Sequence, residues 1–281
     1  MSEALNVGAS RLARDARLLR TAWAYELRKV TTWRVGFVVR EVMRGVWRPL
    51  VMIFVYRALL AGESRSIGGY DADGFARYLI LAAAFEKLLF HQRGLDLADQ
   101  VFRGYVTKYL VMPVRFYVLA LARFAQHLTI QGGVAAALWC AGAWLAPEFW
   151  PHPVSALAFA QALVLVLLGS YCYFLVCFLV NTLAFWLDVV WTLFAMTSFV
   201  FSFVAGVLVP VSIMPDALRE AFQWCFPYWA VCAPVELFLG RLDPSAFPRG
   251  VLVLLVSIAL LELARGELWR RGLARYVGAG M

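Results

Sequence analysis

A run of thirty residues, 154–183, carries no charged side chain, and Gln161 and Asn181 are its only amides. As a helix rising ~1.5 Å per residue, such a run is longer than the ~30 Å hydrocarbon core of a bilayer. Backbone groups at that depth must bond within the protein, which leaves helices and closed barrels as the spanning structures. A barrel needs short segments of alternating polarity, and the run does not alternate. Further apolar stretches occupy about 35–60, 76–93, 116–145, 189–209 and 248–264. The expected fold is therefore all-α and polytopic, with six transmembrane helices. Only 16% of the 281 residues are charged, well below the share usual in soluble domains, so little chain is left for a separate soluble domain.

The net charge of +8 does not point to nucleic acid, because most of the basic residues flank the apolar stretches. Residues 1–35, 93–115 and 265–281 hold seven, four and four Lys and Arg, against three in 57–77 and three in 209–249. By the positive-inside rule both termini and the central segment are cytoplasmic, and six spans have the parity that this requires. The five cysteines show no metal-ligand spacing, and no metal site is expected. Cys140, Cys172 and Cys177 lie in apolar stretches as small hydrophobes. Cys225 and Cys232 stand seven apart on the expected outer face, and both a disulfide and two free thiols fit them. The N-terminus lacks the shape of a secretory signal peptide.

The chain opens with a cytoplasmic stretch, 1–34. Within it Leu12, Ala16, Leu19, Trp23, Leu27 and Val30 recur at steps of three and four, predicting an amphipathic helix over 11–30. Arg11, Arg14, Arg17, Arg20, Arg28 and Lys29 lie mostly off that stripe, so the helix is expected at the membrane interface, its arginines toward anionic lipid. The first span is unusual, with Arg40, Arg44 and Arg48 every four residues and Glu41 beside them. A charge inside a span costs ~2.5–3.5 kcal/mol on insertion scales. Two readings fit Arg44 and Arg48: a basic stripe along a path for an anionic or amphiphilic substrate, or side chains that snorkel to the interface. Glu86 and Lys87 of the second span either neutralise each other or pair with those arginines. His91, His127 and His152 are isolated, and none has a second ligand at metal spacing. Arg123, Gln126 and His127 make the third span begin wet.

Two stretches depart from simple spans. Residues 94–116 are amphipathic and punctuated by Gly94, Gly104 and Pro113, with Arg103, Lys108 and Arg115 giving a basic character. They form either a partner-binding face or a solvated loop. Residues 210–240 contain Pro210, Pro215, Pro227 and Pro234, each unfavourable to a continuous helix. Two short helices, 215–225 and 229–239, are expected there as a re-entrant pair on the outer side, between the fifth and sixth spans.

The order of interfacial helix, two spans, cytoplasmic amphipathic segment, three spans, outer re-entrant pair and last span resembles the permease subunit of bacterial type-2 ABC exporters. The stretch FRGYVTKYLVMPVRFYVLALAR is similar to the family's coupling region. AGVLVPVSIMPDALREAFQWCFPYWAVCAPVELFLG is similar to its proline signature, and LWRRGLARYVGAGM to a subfamily ending. The resemblance implies a permease domain over 35–281 with a coupling segment at 94–116. It implies two copies of a cytoplasmic ATPase subunit as partners, a second permease that is identical or related, and residence in the inner membrane. Asp96, Asp99, Arg103, Tyr105 and Lys108 are the candidates for the ATPase contact. Arg44, Arg48, Glu86 and Lys87 are the candidates for the substrate path. No G-x-x-x-x-G-K-[ST] motif occurs, so ATP and Mg are expected in the partner and no cofactor in this chain. The alternatives are a lipid-modifying membrane enzyme built on Glu86, His91, Arg123 and His127, and a secondary transporter, which would call for internal repeats.

Overall fold

The computed structural model describes residues 2–31, 36, 51, 54, 69–90, 97–112, 115–145, 147 and 150–276. Most of the first apolar stretch, including Arg40, Glu41, Arg44 and Arg48, lies outside these residues, as do His91 and Asp96. Among the described residues the fold is helical throughout and contains no β-strand.

The first helix, α1, runs Ser2–Thr31. α2, Ala72–Leu89, starts where the Asp71 side chain accepts a bond from the Gly74 amide at 3.0 Å, a capping contact that places its start four residues before the apolar stretch. Two short helices follow, α3 at Leu97–Phe102 and α4 at Val106–Val111. Next come α5, Phe116–Leu145, and α6, Ala156–Thr182, the latter capped by Ser155 and prolonged by a 3₁₀ turn at Leu183–Phe185. α7 covers Trp191–Val204. It ends ahead of Gly206, whose φ of +73° is the left-handed conformation that terminates helices.

Where two short helices were expected, the proline-rich stretch forms three: α8 at Asp216–Phe222, α9 at Phe226–Ala230 and α10 at Cys232–Phe238. The prolines start these pieces rather than break them. Pro215 precedes α8, and Pro227 occupies the first turn of α9, where a missing N–H costs nothing. The last helix, α11, runs unbroken over Phe247–Arg275, so the basic residues after 264 continue the helix. Pairs of Glu267 with Arg270 and Arg271, each at 2.7 Å, support that extension at helical spacing.

Three helices among the described residues are long and apolar enough to cross a membrane: Phe116–Leu145, Ala156–Phe185 and Pro244–Arg275. α2 has 18 residues and includes Asp73, Arg77, Glu86 and Lys87, while α7 has 14. α6 is the axis of the bundle and packs against α2, α9, α10 and α11. Its inner face is aromatic: Phe174 stacks on Phe124 at 4.8 Å between centroids, and Tyr173 meets Phe201 edge-on at 4.7 Å. Within a bilayer, packing and interhelical bonds rather than exclusion from water hold such helices together.

Candidate functional site

The site is built on the two short helices before α5. Leu97 and Val101 of α3 and Val106 of α4 are buried, and the helical period turns the intervening residues outward. Asp99 and Arg103 therefore lie one turn apart on the exposed side of α3, Nε to Oδ1 2.7 Å, with side chains 52% and 60% exposed. Gly104, at φ +73°, reverses the chain as few other residues do without strain. Beyond it Tyr105, Thr107, Lys108, Val111 and Met112 are exposed. Tyr105 is 55% and Val111 81% accessible. Four of the five sequence candidates, Asp99, Arg103, Tyr105 and Lys108, are thus exposed on α3, α4 and the turn between them; Asp96 is outside the described residues.

Behind this turn stands the C-terminal end of α11. The Tyr276 hydroxyl donates to the Gly104 carbonyl at 2.9 Å, and Thr107 Oγ1 lies 3.2 Å from the same hydroxyl. Trp269 stacks on Phe116 with centroids 5.4 Å apart and planes 8° from parallel. Phe116 in turn meets Tyr109 of α4 edge-on at 5.2 Å. Phe185, in the turn after α6, contacts both Trp269 and Tyr276, at 5.8 and 5.9 Å.

Farther along α11 a polar node joins three helices. Glu262 Oε1 accepts from Tyr117 of α5 at 2.5 Å and from Tyr171 of α6, whose hydroxyl oxygens are 2.8 Å apart. Arg265 donates to Glu262 Oε2 at 2.6 Å and lies 3.7 Å above the Tyr117 ring, a cation–π contact. Charge-assisted bonds of this kind are the strong ones.

α1 covers the first half of α5. Asp15 reaches Arg115 at 4.0 Å, Trp23 donates to Thr129 at 3.2 Å, and Arg123 Nε donates to Glu26 at 3.2 Å. The helix therefore turns Leu19, Trp23 and Leu27, flanked by Asp15 and Glu26, toward α5, while Arg14, Arg17, Arg20 and Arg28 remain exposed. Of the polar residues that open α5, Arg123 is thus met by a carboxylate of α1. Glu86 and Lys87 lie half-buried in the last turn of α2, where the Lys87 carbonyl is 3.2 Å from His127 Nε2. Arg44 and Arg48 are outside the described residues, so the four path candidates are not seen as a group. Of the four residues considered for an enzyme, Arg123 turns to Glu26 and His127 to the Lys87 carbonyl, while His91 lies outside the described residues.

At the opposite end of α11, residues 227–238 of the segment 210–240 are buried, while most of α8 is exposed. Trp229 is buried against Gly250, where an added Cβ would come 2.4 Å from the indole ring, and its Nε1 donates to the Gln223 carbonyl at 2.8 Å. Glu236 is also buried, with the Tyr228 hydroxyl 3.5 Å away. Burial pushes its carboxyl above the ordinary value of 4.5, and Arg241, Cys232 and Tyr228 pull the other way. Arg241 donates to the Gly69 carbonyl at 3.0 Å and lies over the Tyr70 ring. The five cysteines are free thiols, with Cys232 buried and Cys225 exposed. The sequence reading missed Glu262, Trp269, Tyr276 and Glu236. For Glu262 a signal existed, a lone acid within the last apolar stretch.

A helical bundle with three helices long and apolar enough to cross a membrane among the described residues, an exposed elbow before the first of them and a proline-rich segment before the last, fits a multi-pass membrane protein. Residues 48–280 match the family described as ABC-2 family transporter protein. The chain belongs to that family and is a transport permease. No curated protein matches it.

Proposed function

We propose that this chain is the membrane-spanning subunit of an ATP-driven exporter and that α3 and α4 form its contact with a separate ATPase. The observation that carries the reading is the exposed set of Asp99, Arg103, Tyr105 and Lys108, held on spanning helices by a buried backing of Leu97, Val101 and Val106, in a chain of the ABC-2 family. Two ATPase copies, binding ATP and Mg, and a second permease, identical or related, complete the complex. The proposed topology is six spans, including the stretch around Arg44 and Arg48 and the shorter α2 and α7, with both termini on the cytoplasmic side of a bacterial inner membrane. Closure of the ATPase pair would push on α3 and α4 and switch access to a path that includes Arg44, Arg48, Glu86 and Lys87.

The test is the double exchange Asp99→Arg with Arg103→Asp. It keeps an ion pair at the same helical spacing, so the fold is preserved, but reverses the charges presented to the partner. Recovery of the ATPase with the affinity-tagged chain is expected to fall by roughly tenfold or more at unchanged membrane insertion. Undiminished recovery would exclude these two residues from the contact.

A further inference from the structure

On the C-terminal side the covalent route from α3 and α4 into the bundle is through α5, separated from α4 by four residues. The structure contains a second route that no chain connection supplies. Tyr276, one residue beyond α11, bonds through its hydroxyl to the Gly104 carbonyl and to Thr107, bracketing the turn between the two short helices. Two turns earlier on the same helix, Trp269 stacks on Phe116, and two turns before that Glu262 gathers Tyr117 and Tyr171. These contacts succeed one another along a single α-helix, and α-helices carry displacement as rigid elements. With 29 residues, α11 is about 43 Å long. Its far end holds Gly250 against Trp229 of the proline-rich segment.

We infer that Tyr276 is a positioning residue that ties the coupling turn to α11, so that displacement of α3 and α4 is passed to the proline-rich segment through the last helix as well as through α5. This rests on the reading of α3 and α4 as the ATPase contact. The Tyr276 hydroxyl has the partners that such a tie requires. It grips a main-chain carbonyl at the one left-handed residue of the turn, and its ring is held by Phe185.

The experiment is hydrogen–deuterium exchange on the purified complex, wild type and Tyr276→Phe, with and without ATP, Mg and vanadate. Tyr276→Phe keeps the ring against Phe185 and removes only the hydroxyl. In the wild type, nucleotide trapping is expected to alter exchange in both 116–125 and 262–276. In Tyr276→Phe the response at 116–125 persists and that at 262–276 shrinks about fivefold, the factor for one net hydrogen bond. Thr107→Val, which spares the bond to Gly104, has the smaller effect. Equal responses at 262–276 in wild type and Tyr276→Phe overturn the inference, as does an equal loss in both stretches, which would make Tyr276 a support of the contact itself. A wild-type preparation containing no ATPase overturns the permease reading and the inference with it. An ATPase-containing wild type with an unaltered variant overturns the inference alone.

Discussion

The two ends of α11 solve opposite problems. At one end, α3 and α4 keep three apolar residues inside and present charge, Tyr105, Val111 and Met112 to the surroundings. At the other, the segment 210–240 buries Tyr228, Trp229, Cys232, Glu236 and Phe238 almost completely. Under the proposed function, an ATPase docked on the first surface would cover the exposed Tyr105, Val111 and Met112. In the second, residues 227–238 are buried while Leu218 and Trp224 remain exposed, and Glu236 has the Tyr228 hydroxyl and the Cys232 thiol as bonding partners. Under the proposed function the first end serves assembly, and the contacts of Glu262 and Trp269 lie on α11 between the two ends.

Breaking the buried end has the largest expected effect. Trp229→Ala removes a buried indole and its bond to the Gln223 carbonyl, and a loss of about 3–5 kcal/mol is expected, read as a lower unfolding temperature in detergent. Next comes the node between the ends: Glu262→Ala leaves the Tyr117 and Tyr171 hydroxyls and Arg265 without their shared acceptor. About 1.5–3 kcal/mol is expected here, and Glu262→Gln should recover part of it.

A smaller effect separates the two ends by pH. Glu236 has a raised native value, so the folded state holds its proton more tightly than the unfolded state does. Its stabilising contribution is full below the ordinary carboxylate value and is lost as pH rises through the native one. Stability of the wild type is therefore expected to decline over that window, and Glu236→Gln should flatten the decline. A wild-type profile matching that of Glu236→Gln would contradict the assignment. The smallest effect on stability belongs to the open end. Asp99→Ala breaks a solvent-exposed pair, and pairs of that kind contribute little. The unfolding temperature should stay within error while ATPase recovery falls, which would separate assembly from stability.

The sequence made the helices legible where polarity and punctuation agree. Pro113 and the apolar run after it delimit Phe116–Leu145, and Ser155 marks the start of α6. Legibility failed where tertiary contacts decide. The basic residues after 264 look like a solvated tail, yet Glu262 and Glu267 pair with arginines three and four residues on and the helix continues. α7 stops short of the apolar stretch because Gly206 turns left-handed, with its carbonyl held by Tyr78 at 2.8 Å. The split of the second proline-rich helix at Val231, with φ −132°, has no local sequence signal. Within the site, the four-residue step from Asp99 to Arg103 shows that they share a face. The contact of Gly104 with Tyr276, 172 residues away, has no counterpart in any local pattern.

That this permease works with a separate ATPase docked on α3 and α4 is tested most directly by isolating the tagged chain from its native membrane and weighing the intact complex by native mass spectrometry. The expected masses are those of two ATPase subunits with either two copies of this chain or one copy and a second permease. The Asp99→Arg, Arg103→Asp exchange is expected to remove the ATPase subunits from the spectrum. A stable chain recovered without any ATPase across several mild detergents would contradict the docking of an ATPase on this permease.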